Sequence, residues 1–423
     1  MTLGRVRFRA LRAMLAAATA ATLALLPATS AQADTARSLE YWLADYGFTN
    51  AWNLSKGAGV KIAVIDTGVD GSIGELQGAV VDGWDASGIG APNGQRPIGS
   101  NPNHGTMVAS LLAGRGTGPA DGVIGVAPEA SILSVSVAFG QDSGAARSVD
   151  DQIADAVMWA VDHGADVINM SLTRNTRDWP ESWDRAFTYA FEHDVVVVAA
   201  AGNRGDGTTE VGAPATIPGV LTVAGVDTAK VASFDASSQG ITIAVAAPSE
   251  SLVGALPGGS HVVWNGTSGA APLVAGLVAL VRSKYPQLDA ANVINRVIAT
   301  ANANGQKVPS PLYGHGLIDP LAALTKRVAA VTENPLGSLA DWIRVHRRAT
   351  PPSATAAPEP PVVPLADPPL PKAADRRTLL PNEWTLTYLT VPLVVVTAFG
   401  TLATLLGIAA ARLIRRASRS RGP

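Results

Sequence analysis

Between Gly59 and about Ala330 the chain alternates two hydrophobic periods. Short β-branched runs at 60–65, 132–137, 166–170, 195–200, 220–226 and 241–246 are apolar at successive positions, the pattern of strands buried on both faces. The longer stretches 105–113, 149–163, 181–193, 269–285 and 289–301 repeat their apolar residues at helical spacing. Strands buried on both sides need helices above and below, so the alternation predicts a three-layer α/β fold with a mainly parallel sheet. In such folds functional groups collect where strands end at their carboxyl edge.

The two ends follow other patterns. Arg5, Arg7, Arg9 and Arg12 precede an apolar run over 13–26, then Pro27 and the small-residue sequence Ala31-Gln32-Ala33. Residues 1–33 thus read as a secretory signal, followed by an N-terminal extension over 34–56. Residues 385–411 are uncharged and mostly apolar, long enough for a transmembrane helix. Arg412, Arg415, Arg416, Arg419 and Arg421 follow at once, which places the basic tail, 412–423, in the cytoplasm and the rest outside. Residues 331–384 carry Pro351-Pro352, Pro360-Pro361 and Pro368-Pro369 and are expected to form an extended stalk. The expectation is a single-pass protein of the cell membrane, with residues 57–330 as an extracytoplasmic domain.

Composition narrows the chemistry. The 423 residues are 47% hydrophobic and 16% charged, enough for one large core with attachments. A net charge of −2 gives no basic field for nucleic acid. The absence of cysteine excludes disulfides, thiolate metal sites and a cysteine nucleophile.

Four segments at element ends carry candidate chemistry. Val64-Ile65-Asp66-Thr67-Gly68 delivers a carboxylate from an apolar strand into a glycine turn. Asn103-His104-Gly105-Thr106 opens a small-residue helix with an imidazole, and Gly266-Thr267-Ser268-Gly269 places a hydroxyl where a loop becomes a helix. A serine is a poor nucleophile at neutral pH unless a base lies within hydrogen-bond reach and a carboxylate fixes that base's tautomer. The three segments supply one of each. A helix N-terminus behind Ser268 adds N–H groups where an oxyanion would develop, and Asn203, after the apolar strand ending in Ala199-Ala200-Ala201-Gly202, can add a side-chain donor.

In the order Asp, His, Asn, Ser, these segments resemble those of the subtilisin-like serine proteases over most of 59–323. The resemblance implies a seven-stranded parallel sheet, Asp66 orienting His104, His104 as general base and then acid, and Ser268 as nucleophile. It implies Asn203 with the Ser268 N–H as oxyanion hole, and a peptide-binding cleft walled by Ser171, Leu172 and Thr173 on one side and Ala200, Ala201 and Gly202 on the other. No cofactor is expected; structural calcium occurs in the wider class, but the sequence offers no metal site for it. Within the class, the signal, the extension too short for a folded propeptide, Gly122-Val123-Ile124-Gly125-Val126-Ala127-Pro128, the stalk and the span resemble the mycosins, membrane-anchored proteases associated with type VII secretion in actinobacteria. Two features depart from the pattern: mycosins commonly carry disulfides, and Thr173 stands where the class usually has glycine.

Other readings account for less. Asp66-Thr67-Gly68 with Asp142-Ser143-Gly144 could pose as an aspartic-protease pair, but that needs an all-β double domain and leaves His104 and Ser268 unexplained. A structural component of a secretion complex, built on a protease scaffold with catalysis secondary, is the alternative of a different class. His163, His193, His261, His315 and His346 have no ligand spacing and read as capping or surface residues. The cluster Asp150, Asp151 and Asp155 reads as helix capping.

Overall fold

The structure is a computed structural model that describes residues 36–140 and 143–347 and the isolated helical positions 394, 397 and 401. Seven parallel strands form the central sheet: β1 (Lys61–Asp66), β2 (Val80–Asp85), β3 (Ser131–Ser136), β4 (Val167–Met170), β5 (Val196–Ala200), β6 (Leu221–Val226) and β7 (Ile243–Pro248), in the order β2-β3-β1-β4-β5-β6-β7. The order reverses at β1, so the ends of β1 and β4 open onto a crevice. An antiparallel hairpin, β8 (Leu252–Ala255) with β9 (His261–Trp264), stands apart from the sheet and leads into the helix that carries Ser268.

The six β-branched runs of the sequence all form strands, because a parallel strand covered on both faces must be apolar at every position. The strand β2 is absent from that list for a physical reason. As the sheet edge it is half-exposed, its register breaks between Val80 and Asp82, and Val-Val-Asp-Gly-Trp-Asp shows neither period.

The predicted helices are present as α4 (His104–Ala113), α5 (Val149–Asp162), α6 (Glu181–Glu192), α7 (Thr267–Lys284) and α8 (Ala290–Thr300). From Thr267 to Val281 every residue of α7 except Ser268 is buried, as expected of a helix that is apolar on all sides and packs against β4, β5, β6 and β7 and against α4. Pro272 is the sixth residue of α7, inside the helix and not in its first turn, and the Ser268 carbonyl that loses a backbone donor there accepts from Ser171 Oγ instead.

The N-terminal extension forms three short helices, α1 (Ala36–Leu39), α2 (Tyr41–Asp45) and α3 (Phe48–Ala51), that bury Trp42 and Phe48 completely in the common core. Polar contacts fix it further: Arg37 donates to the carbonyls of Asp121 and Gly122, the Glu40 carboxylate accepts from the Ile124 N–H, and the Trp52 indole donates to Val126 O at 2.8 Å. Burial pushes the Glu40 carboxyl up to about 8 despite the nearby Arg37.

At the other end, α9 (Pro320–Thr325) is followed by 326–337 and by α10 (Leu339–His346). Residues 331–347, assigned from sequence to the stalk, lie against the domain. Trp342 packs 4.4 Å from Trp179, the Arg347 guanidinium pairs with Asp184 at 2.8 Å, and Asn292 donates to Val331 O. Helix α10 has an apolar face that the proline-rich composition around it conceals.

Among the described residues no helix is long and apolar enough to cross a membrane. The signal over 1–33, the stalk from 348 on, and the span at 385–411 with its basic tail lie outside the described residues, except for Val394, Thr397 and Thr401.

Candidate active site

Asp66, the last residue of β1, is 1% exposed, so its charge must be met by donors. The Thr67 N–H donates to Oδ1 at 2.7 Å, and His104 Nδ1 lies 2.8 and 3.0 Å from the two carboxylate oxygens. This arrangement assigns the proton to Nδ1 and leaves Nε2 as the basic lone pair. His104 is the first residue of α4, whose start is pinned by the Gly105 N–H donating to Thr67 Oγ1 at 3.0 Å. A side chain at Gly105 would collide with the Gly68 carbonyl, so glycine at 105 is what lets α4 approach the end of β1. Burial disfavours the imidazolium, but the Asp66 carboxylate, by its charge and by its hydrogen bond, outweighs it and holds His104 above its ordinary value.

Ser268 is the second residue of α7, and its own carbonyl accepts from Ser171 Oγ at 2.8 Å while its hydroxyl donates to Ser171 O at 3.1 Å. No hydrogen bond joins Ser268 Oγ to His104 among the described contacts. The ring of Trp264 lies edge-on to His104 at 5.9 Å, and 3.3 Å from where a Cβ on Gly269, the residue after Ser268, would stand. One step between staggered rotamers of Ser268 exchanges the Ser171 carbonyl for another acceptor.

Asn203 follows β5, and its side chain has a fixed sense. Oδ1 accepts from the Thr267 N–H at 2.8 Å and from Thr267 Oγ1 at 2.9 Å, which turns Nδ2 outward, where one of its hydrogens donates to Asp206 Oδ2 at 2.9 Å. Among the described residues no acceptor takes the second hydrogen of Nδ2. Thr267 Oγ1 also accepts from the Gly202 N–H at 3.1 Å, so a single threonine joins the start of α7 to the end of β5.

The residues expected to wall a peptide-binding cleft lie at the ends of two adjacent strands. Ser171, Leu172 and Thr173 follow β4, and Ala200, Ala201 and Gly202 close β5. The Ala201 N–H is spent on Val223 O, and the Gly202 carbonyl accepts from the Ser238 N–H. Thr67, Thr267, Asp206 and Trp264 were not singled out from the sequence; the first two flank Asp66 and Ser268 directly, the only sequence signal they carry. His163 and His193 bond the carbonyl four residues back in their own helices, and His261 pairs with the buried Glu75 at 2.6 Å. Among the described residues no group of three or more His, Asp or Glu side chains could hold a metal ion.

Comparison with known proteins shows which family the chain resembles. A model of the Subtilase family matches residues 57–316. Subtilisin DY of Bacillus licheniformis is 39% identical over 271 residues, which cover 63% of this chain and 92% of that protein. The crystal structure of MycP1 from Mycobacterium smegmatis superposes with a TM-score of 0.58 at 31% identity, covering 75% of this chain and 89% of the other. The MycP3 protease from the type VII (ESX-3) secretion system gives a TM-score of 0.56 at 34% identity, covering 71% and 90%.

Because the base must be unprotonated, kcat/KM for peptide hydrolysis is expected to rise with pH as His104 loses its proton, with a midpoint above the ordinary histidine value of about 6.5. In Asp66→Asn the residual activity should titrate at lower pH, since only the burial that disfavours imidazolium remains. Initial rates across pH 5 to 9 (a range of about four units around that value) measure this. A midpoint unmoved by Asp66→Asn contradicts the assigned electrostatics.

Proposed function

The chain belongs to the subtilase family and is a serine endopeptidase, and from that premise we propose a membrane-anchored extracytoplasmic protease that cuts polypeptides through Asp66, His104 and Ser268. The observation that carries the reading is the buried Asp66 carboxylate bonded to His104 Nδ1 at 2.8 Å, beside a serine at a helix N-terminus.

In this reading Ser268 Oγ attacks the scissile carbonyl carbon while His104 Nε2 takes the hydroxyl proton. The carbonyl oxygen, now anionic, accepts from Asn203 Nδ2 and the Ser268 N–H, donors already oriented before the charge develops. Collapse breaks the C–N bond as His104 gives its proton to the leaving amine. Water then repeats the sequence on the acyl-serine, releasing the acid and restoring both side chains. Asp66 holds the imidazole's tautomer and offsets the charge of the imidazolium throughout.

Anchoring is proposed from sequence: the apolar 385–411, the arginines after it and the signal at 1–33 place the protease outside the membrane. Association with type VII secretion is supported by the likeness to MycP1 and to MycP3, the latter a protease from the type VII (ESX-3) secretion system.

Ser268→Ala and His104→Ala are each expected to reduce turnover on a peptide by about a millionfold, the loss seen for the equivalent changes in subtilisin. Purified full-length protein in detergent serves for the assay. A Ser268→Ala enzyme as active as wild type contradicts the mechanism, and a wild type that hydrolyses nothing favours the scaffold role in a secretion complex. For the topology, protease added outside intact cells should release the folded domain by cutting within the proline-rich sequence 348–384. A domain that is cut only after lysis reverses the orientation.

A further inference from the structure

Helix α7 has a carbonyl near its start that its own backbone cannot serve in the helical pattern. Residue 272 stands four positions after Ser268 and would donate to Ser268 O, but proline has no N–H. The Ser171 hydroxyl takes that place at 2.8 Å. A second bond runs back across the same contact, from Ser268 Oγ to Ser171 O at 3.1 Å. Ser171 therefore holds the reacting residue twice, once by its backbone and once by its hydroxyl.

The Ser171 hydroxyl owes its direction to a residue one layer deeper. Asn169 stands two positions before Ser171, hence on the same face of the chain, and its Nδ2 donates to Ser171 Oγ at 3.0 Å. A hydroxyl has a single hydrogen, so Ser171, accepting from Asn169, spends that hydrogen on Ser268 O. Asn169 is 0% exposed, in register with Val64 of β1 and Val198 of β5, and its Oδ1 has no partner among the described residues. An amide buried between valines with its oxygen bare is unfavourable, and an apolar side chain of the same shape would suit the core better. Such departures from the local rule mark places where function outweighs stability.

Strand β4 also neighbours β1, whose last residue is Asp66 and whose end receives His104. Tying Ser268 to the end of β4 sets the nucleophile and the base on adjacent strands of one sheet, while Thr267 ties the same turn to β5. We propose that Asn169 and Ser171 are positioning residues for the nucleophile: the Asn169 amide commits the Ser171 hydroxyl to the carbonyl that Pro272 leaves without a donor, which fixes Ser268 Oγ relative to His104. The proposal rests on the serine-protease reading above and deepens it. A displacement of about 1 Å between reacting groups can cost about a hundredfold in rate.

The test measures kcat, KM and the thermal midpoint of the full-length protein in detergent for Ser171→Ala, Asn169→Leu, Pro272→Ala and the double variant Ser171→Ala with Pro272→Ala. Alanine at 272 returns an N–H to the helix and so supplies Ser268 O with the donor that Ser171→Ala removes. Ser171→Ala is expected to lower kcat by about tenfold, the equivalent of one hydrogen bond, with KM little changed. In the Pro272→Ala background the same substitution should lower kcat by less than about threefold. Asn169→Leu keeps the shape and removes the bare oxygen, so it is expected to lower kcat with the thermal midpoint unchanged or raised. Ser171→Ala with the wild-type kcat, or with an equal loss in both backgrounds, overturns the proposal and leaves the protease reading intact. So does Asn169→Leu with the wild-type kcat, or with kcat and midpoint falling together as a packing role requires. Should Ser171→Ala fail to fold, Asn169→Leu decides alone by the same outcomes. A wild type that hydrolyses no peptide removes the protease reading, and the proposal with it.

Discussion

A carboxylate that is 1% exposed cannot remain charged without partners, and this requirement at Asp66 organises the centre of the molecule. One donor is local, the Thr67 N–H that the turn after β1 presents, and another must come from elsewhere in the chain. It comes from His104, and so α4 is drawn to the end of β1. Gly105 permits the approach, and Thr67 Oγ1 secures it by accepting from Gly105 N–H. The same pairing that satisfies a buried charge leaves a basic nitrogen pointing away from the carboxylate, so structure and chemistry have one cause.

The second half of the site is assembled by Thr267. Its N–H and hydroxyl both donate to Asn203 Oδ1, and its oxygen accepts from the Gly202 N–H, tying the start of α7 to the end of β5. Helix α7 is buried on nearly all sides, so its first turn cannot shift without disturbing the core of the domain. Ser268 therefore stands on a rigid element, while its hydroxyl keeps the rotational freedom that proton transfer needs. The hairpin β8–β9 contributes Trp264, which spaces His104 from the start of α7.

Much of this was legible in the sequence, for identifiable reasons. Val64-Ile65-Asp66-Thr67-Gly68 states a strand, a charge and a turn in five residues, and its structural counterpart is β1 with the pair Asp66 and His104 at its end. Edge strand β2 was not legible, because a half-exposed strand with a register break has no period to detect. Helix α10 was masked by proline-rich surroundings, although Trp342 and Arg347 dock onto Trp179 and Asp184. The short turn at 204–206, which brings the Thr208 N–H back to Asn203 O, has no period in the sequence to announce it. Asp206 beside Asn203 depends on the same turn.

The claim at the centre of the account is that the imidazole held by Asp66 activates one particular hydroxyl among the many serines of the chain. Reaction of the full-length protein with a fluorophosphonate, followed by peptide mapping in a mass spectrometer, tests it directly. The account predicts a covalent phosphonyl group on Ser268, formed with wild-type protein and lost in His104→Ala. Modification of a different serine, or labelling of Ser268 that persists at the same rate without His104, would contradict it.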